Sequence, residues 1–188
     1  MYCSTYNVVF GGQKITNGSL EMAYFPIEKQ IDVYSASKTL AEKEVLSSHL
    51  HPLHPPSSTC STPSLLRTVA IRPAAIYGPG EVFFSHFFEP PLDFLNCTLK
   101  KERHFPRIID TFRNGLYKFT IGDRNNKVEW VYIDNLVYSL LLASHKLHQE
   151  HLQEQEEDTL QIEWKRKRVG GRAFPISDHH PINQFRFL

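Results

Sequence analysis

The chain has 188 residues, 41% hydrophobic and 22% charged, which is enough apolar material for one ordinary domain and excludes disorder throughout. Its 21 basic and 20 acidic residues give a formal net charge of +1, which excludes a general attraction to nucleic acid or to anionic membranes. No apolar run approaches the ~20 residues that span a bilayer, and the start lacks the pattern of a signal peptide. We therefore expect a cytoplasmic or cytosol-facing chain whose cysteines, Cys3, Cys60 and Cys97, are reduced and buried.

The N-terminal segment predicts the end of a strand. Residues 1–12 combine β-branched and aromatic side chains and stop at Gly11-Gly12, which indicates a following loop. Because this strand begins almost at Met1, we expect that the chain lacks upstream parts of its fold.

The next segment predicts a helix over residues 32–48, with Asp32 as its N-cap. Val33, Ala36 and Leu40 follow its helical period. Residues 49–64, rich in proline, serine and histidine, predict an exposed loop.

A buried strand is predicted at 65–72, ended by Pro73 and followed by the tight Gly78-Pro79-Gly80 turn. Residues 82–102 are crowded with phenylalanine and fit neither the helical nor the strand period. Beyond them, the pattern predicts a helix at 106–114 ended by Gly115, and strands at 117–121 and 128–133.

Asp134 is the predicted N-cap of a helix that runs to about His148. Its predicted apolar face consists of Leu136, Leu140, Leu141 and Leu147. Residues 149–168 predict a polar linker, and the remaining residues a short strand and a turn. Alternating helices and buried strands indicate an α/β sheet domain.

Tyr34 and Lys38 are four residues apart on the predicted helix, so both side chains lie on one face. A nearby ammonium favours the phenolate form of a tyrosine, which would let Tyr34 exchange a proton with a substrate carbonyl or alcohol. The spacing alone is weak evidence, since a surface tyrosine beside a solvated lysine has the same pattern.

Several segments, in the expected order, resemble the extended short-chain dehydrogenase/reductase family in its 3β-hydroxysteroid dehydrogenase-like branch, and most of all the family 42E members. The similar segments are Tyr2-Cys3-Ser4-Thr5, Tyr34-Ser-Ala-Ser-Lys38, residues 66–81, residues 128–136 and residues 174–183. The resemblance implies a partial Rossmann-like, doubly wound NAD(P)-binding domain without its first βαβ units, and a small C-terminal substrate-side region.

The resemblance also implies roles for individual residues. Tyr34 would donate or accept the proton, and Lys38 would assist it and bind the nicotinamide ribose. Thr5, or in its place Ser4, would hydrogen-bond the reacting oxygen, although either hydroxyl could instead satisfy backbone groups at a strand end. The segment Pro73 to Ile76, including Ala75, would lie beside the nicotinamide of NAD or NADP, although a structural strand-to-loop turn is equally consistent with Pro73.

The sequence departs from the family pattern in two places. It contains no G-x-x-G-x-x-G loop, which would bind the dinucleotide pyrophosphate. Residues 82–102 have the character of an insertion, either functional or a splicing product. The expected organisation is therefore the C-terminal half of the NAD(P)-binding domain at 1–81, the insertion at 82–102, and substrate-side and remaining sheet elements at 103–188.

Two classes of function follow. The first is an oxidoreductase that interconverts an alcohol and a ketone on a small hydrophobic, steroid-like substrate, in a full-length parent that associates with membranes. The second is a catalytically inactive truncated isoform that acts by homodimerisation or partner binding. Two histidine groups, His145/His148/His151 and His49/His51/His54, could bind a metal, but solvated histidines are the better interpretation and we predict no metal site.

Overall fold

The computed structural model describes residues 1–16, 18–53, 64–79, 113–115, 123–156 and 168–183, which form a layered α/β structure. The strands are β1 (Tyr2–Cys3), β2 (Ala70–Pro73), β3 (Ala75–Tyr77), β4 (Lys127–Val128), β5 (Trp130–Tyr132), β6 (Ala173–Ile176) and β7 (Ile182–Asn183). The α-helices are α1 (Val33–Ser47) and α2 (Ile133–Glu156). Two single-turn 3-10 helices, Tyr6–Val8 and Ile27–Lys29, lie between β1 and α1.

The centre is a parallel sheet in the order β1-β2-β6. All four residues of β2 are buried, as expected for a strand that is covered on both faces. After Ala74 the chain continues as β3, which pairs in parallel with β5, while β4 and β7 form an antiparallel pair. The carboxyl ends of β1, β2 and β6 therefore lie at one edge of the sheet.

The two helices cover opposite faces of this sheet. Ile71 of β2 packs in the hydrophobic core with Leu136 and Ala143 of α2. The next residue, Arg72, bonds instead to Glu42 of α1. Because side chains alternate across a strand, α2 covers one face and α1 the other.

Helix α1 turns a polar face toward the sheet. Its buried residues are Ser35, Thr39 and Glu42, at i, i+4 and i+7. Val33 and Leu40, which the helical period suggested as packing residues, are 85% and 56% exposed. The helix and its Asp32 N-cap are confirmed, but Val33 and Leu40 do not face the core.

Helix α2 differs from the prediction at both ends. It begins at Ile133, so Asp134 lies inside the first turn and the N-cap assignment is wrong. It continues to Glu156, so residues 149–156 are helical and not a linker. Of the predicted apolar face, Leu136, Leu140 and Leu147 pack with the core, whereas Leu141 is exposed.

The predicted strand boundaries are also partly wrong. The strand predicted at 65–72 covers only Ala70–Pro73 and includes the proline, while the short β3 was not anticipated. The strand predicted at 128–133 is two strands, β4 and β5, separated at Glu129. Cys3 is exposed and not buried. The strands β1 and β6 are confirmed.

Several predictions lie outside the described residues. These are the insertion at 82–102, the strand at 117–121, most of the helix at 106–114, the linker at 157–167, and Cys60 and Cys97. Within the ranges that the structure does describe, neither helix is long and apolar enough to cross a membrane.

Asp178, just after β6, joins four elements at the carboxyl edge. Its Oδ2 accepts hydrogen bonds from the Tyr77 hydroxyl and the Tyr132 N–H, both at 3.0 Å, and its Oδ1 accepts one from Asn135 Nδ2 at 2.8 Å. Burial acts to raise the pKa of Asp178, but these three hydrogen bonds and nearby His180 together hold the pKa below its usual value. The carboxylate form thus fixes the ends of β3 and β5 and the start of α2.

The Asp178 junction predicts a pH-dependent contribution to stability. Because the pKa is lower in the folded chain than in the unfolded chain, the stabilisation is present above the unfolded value of about 4 and is lost as pH falls through the folded value. We expect Asp178→Asn to lower the free energy of unfolding more at pH 7 than at pH 3. Urea unfolding at both pH values measures this, and an equal loss at the two values would contradict it.

Candidate active site

The start of α1 places the two residues that the sequence singled out. Asp32 has extended backbone, and its Oδ1 accepts a hydrogen bond from the Ser35 N–H at 2.6 Å, which caps the helix. Tyr34 therefore lies in the first turn and Lys38 in the second. The Tyr34 side chain is 53% exposed, so a substrate can reach its hydroxyl.

Lys38 reaches from the helix to the end of β1. Its Nζ donates a hydrogen bond to the Cys3 carbonyl oxygen at 2.8 Å and lies 5.9 Å from the centre of the Tyr34 ring. The tyrosine, the ammonium and the carboxyl end of β1 are thus brought together; the spacing predicted the first two as neighbours, and the resemblance implied the third.

Both candidate hydroxyls follow β1 directly. Thr5 Oγ1 accepts a hydrogen bond from the Asn7 N–H at 3.4 Å and so caps the Tyr6–Val8 turn. This is the backbone role that the sequence left open for it, and the bond still leaves the hydroxyl proton of Thr5 free. Ser4 Oγ is buried and has no hydrogen-bond partner among the described residues. An unsatisfied buried hydroxyl is rare in proteins and often marks a functional site.

The segment predicted to lie beside the cofactor runs from β2 into β3. Pro73 is the last residue of β2 and pairs with Ile176, while Ala75 and Ile76 lie in β3, opposite Trp130 and Val131. The segment is thus at the same edge of the sheet as Ser4 and Thr5. Cofactor contact by Pro73, Ala75 and Ile76 stays a prediction.

Asn7 was not predicted as a site residue; its Nδ2 donates a hydrogen bond to Ser35 Oγ at 3.2 Å. The bond ties the loop after β1 to the first turn of α1. The loop that carries Ser4 and Thr5 is thereby held against the helix that carries Tyr34.

A buried ion pair between α1 and β2 was also missed. Glu42 Oε1 lies 2.6 Å from Arg72 Nη2, and the two residues are 0% and 5% exposed. Arg72 Nε adds hydrogen bonds to both carboxylate oxygens at 3.0 and 3.3 Å. The available signal was the run of polar residues Ser35, Thr39 and Glu42 at helical spacing, which marks a buried polar face.

Tyr24 completes this cluster. Its hydroxyl donates to Glu42 Oε1 at 2.9 Å, and its ring lies 5.2 Å from the Arg72 guanidinium. Burial, followed by the bond to Glu42, raises the pKa of Tyr24, so its phenol keeps its proton. The Glu42 carboxylate is therefore surrounded by donors and remains compensated away from water.

Among the described residues, no group of three or more histidine, cysteine, aspartate or glutamate side chains is arranged to hold a metal ion.

The sequence model of the 3-beta hydroxysteroid dehydrogenase/isomerase family matches residues 1–93 and 99–188. The chain is 37% identical over 188 residues to a short-chain dehydrogenase/reductase family 42E member 1 from Danio rerio. The alignment covers 100% of this chain and 38% of that protein. The Homo sapiens protein of that name is 36% identical with the same coverage.

A bovine sterol-4-alpha-carboxylate 3-dehydrogenase, decarboxylating, is 30% identical over 98% of this chain and 38% of its own length. The chain thus spans well under half the length of these curated relatives. A crystal structure of dTDP-glucose 4,6-dehydratase from Bacillus anthracis in complex with NAD is similar in fold, with a TM-score of 0.51 and 18% identity over 98% of this chain and 42% of that one. This likeness confirms the Rossmann-like α/β fold.

The buried pair generates a stability prediction. Glu42→Leu leaves the Arg72 guanidinium buried without its partner, so we expect the free energy of unfolding to fall by about 3–5 kcal/mol. Glu44→Leu, at an exposed position of the same helix, should change it by less than about 0.5 kcal/mol. Urea unfolding of both variants tests this, and equal stability of Glu42→Leu and the parent chain would contradict it.

Proposed function

Because the chain belongs to the 3-beta hydroxysteroid dehydrogenase/isomerase family, we propose that it carries the proton-transfer half of an NAD(P)-dependent oxidoreductase that interconverts an alcohol and a ketone. NAD or NADP, when bound, supplies or accepts the hydride. The observation that supports this proposal most directly is the placement of Tyr34 and Lys38 beside the loop that carries Ser4 and Thr5.

Tyr34 is the residue that moves the proton. Its half-exposed phenol can hydrogen-bond a substrate oxygen, donate its proton to a carbonyl, or accept one from an alcohol. The Lys38 ammonium lies 5.9 Å from the ring centre, so Tyr34 and Lys38 can contact the same bound ligand.

The neighbouring groups suit a nicotinamide cofactor. The Lys38 ammonium has three N–H donors. One of them bonds to the Cys3 carbonyl, so the other two can bond to ribose hydroxyls. Ser4 and Thr5 follow Cys3 directly in the chain. Ser4 Oγ has no hydrogen-bond partner among the described residues, and Thr5 Oγ1 is the acceptor in its bond with Asn7, so either hydroxyl proton can orient a reacting oxygen. Pro73, Ala75 and Ile76 would border the nicotinamide.

We infer a hydrophobic, steroid-like substrate. Beyond the carboxyl end of β2, Tyr77 packs edge-on against Trp130, with ring centres 6.4 Å apart, and lies 5.3 Å from the Tyr132 ring. Tyr77 remains partly exposed, so this cluster offers aromatic surface. Aromatic surface with few polar groups is typical of sites for apolar ligands, and the sterol dehydrogenase among the relatives agrees with that class.

The cofactor part of this proposal is tested by adding NADH and NADPH to the purified chain and following nicotinamide fluorescence. We expect saturable binding of at least one cofactor, weakened by Lys38→Ala because ribose donors are lost. Tyr34→Phe should keep binding and abolish turnover of a steroid alcohol panel.

Lys146→Ala is the matched control, because it removes an exposed lysine of α2 whose partner is Gln149. Absence of binding at millimolar NADH and NADPH would exclude catalysis by this chain. Turnover that survives Tyr34→Phe unchanged would exclude the role of Tyr34.

A second candidate function is self-association through α1. Val33 and Leu40 are largely exposed on the side of the helix away from the sheet, and such apolar side chains favour contact with a second copy. The chain would then act as a non-catalytic isoform that forms a homodimer.

This candidate function predicts a homodimer whose interface is formed by α1. Leu40→Glu should shift the chain toward monomer in light scattering coupled to size exclusion, because a charge is buried at the interface. Leu141→Glu, at a similarly exposed leucine of α2, should not. A monomeric parent chain, or equal effects of the two variants, would exclude α1 as the contact.

A further inference from the structure

The described neighbours of the Lys38 ammonium are uncharged. Glu42 follows it by one helical turn and could pair with it by spacing. The Glu42 carboxylate is instead held by Arg72 and Tyr24. Among the described residues no carboxylate pairs with Lys38; its contacts are the Cys3 carbonyl and the rings of Tyr2 and Tyr34.

Tyr2 provides the nearer of the two rings. Lys38 Nζ lies 4.9 Å from the centre of the Tyr2 ring, within the range of a cation–π contact. Tyr2 belongs to β1, where it pairs with Ala70, so the sheet fixes its backbone. The ring presents its face to the ammonium from the first residue of β1.

We propose that Tyr2 is a positioning residue whose ring face, together with the Cys3 carbonyl, holds the Lys38 ammonium beside Tyr34 without neutralising it. The proposal rests on the function proposed above for Lys38.

The chemistry explains why a ring suits this position. A carboxylate partner would cancel the charge of Lys38 and occupy N–H donors that can bond to ribose hydroxyls. A ring and a carbonyl attract the ammonium through a quadrupole and a dipole, so the full positive charge still acts on Tyr34. Burial, then the charge of Glu42 and then Cys3 raise the pKa of Tyr2, so its own phenol stays neutral.

The contact is tested directly by NMR of the full chain after reductive methylation of its lysines with 13C-formaldehyde. The Lys38 signal is identified by its loss in Lys38→Arg. We expect the Lys38 methyl chemical shift to lie upfield of those of the exposed lysines because of the ring current. The upfield shift should persist in Tyr2→Phe. In Tyr2→Leu the chemical shift should move toward the values of the exposed lysines.

Tyr2→Met is the second ring-free variant, should Tyr2→Leu not fold, and it should behave like Tyr2→Leu. A Lys38 signal that keeps its position in the ring-free variant overturns the proposal. So does a Tyr2→Phe spectrum that matches the ring-free variant, since the hydroxyl and not the ring would then be responsible.

Cofactor titration separates this proposal from the proposed function. We expect NADH affinity to fall about 2- to 10-fold in Tyr2→Leu and by less than about 2-fold in Tyr2→Phe. If the parent chain binds neither NADH nor NADPH, the proposed function fails, while the NMR result still decides whether Tyr2 holds Lys38. Equal NADH affinity of Tyr2→Leu and the parent chain would overturn the positioning role.

Discussion

The geometry of the candidate site depends on the buried ion pair between Glu42 and Arg72. Glu42 lies one turn beyond Lys38 on α1, and Arg72 immediately precedes Pro73 on β2. The pair therefore joins the helix that carries the proposed proton-transfer residues to the strand that leads into the predicted cofactor segment. Placing two charges away from water carries a large desolvation cost, which only close, multiple hydrogen bonds offset. Those bonds tolerate little displacement of α1 along the sheet.

The same pair explains the unusual pattern of α1. A face that buries Ser35, Thr39 and Glu42 is held by directional bonds, to Asn7, Gln30 and Arg72, and not by close packing of apolar chains. Such bonds set the rotation of the helix more narrowly than apolar packing does, because each has a preferred angle. This rotation directs Tyr34 outward and Lys38 toward the end of β1. The apolar residues Val33 and Leu40 are then left on the outer surface.

Parallel pairing brings the remaining parts together. The strands β1, β2 and β6 end at one edge, and each is followed there by residues of the site or of the Asp178 junction. Ligands of open α/β sheets bind outside this edge. The hydrogen bonds that Asp178 accepts from β3, β5 and α2 keep the aromatic residues beyond β2 in a defined arrangement. The proposed proton-transfer pair lies at the end of the β1-β2-β6 sheet, and the aromatic cluster lies on the adjoining β3-β5 pair into which β2 continues.

The sequence by itself determined the α/β class, the capped helix at Asp32, the pairing of Tyr34 with Lys38, and the family, because these depend on short-range spacing and local motifs. It did not determine the strand break after Pro73, the extension of α2 to Glu156, or which face of α1 is buried. Those features depend on partners far away in the chain: Glu42 finds Arg72 30 residues later, and Asp178 finds Tyr77 101 residues earlier. Local periodicity predicts Val33 and Leu40 as packing residues, whereas the tertiary structure buries Glu42. Glu42 can be buried because Arg72 and Tyr24 supply the positive charge and the hydrogen bonds that a carboxylate needs away from water.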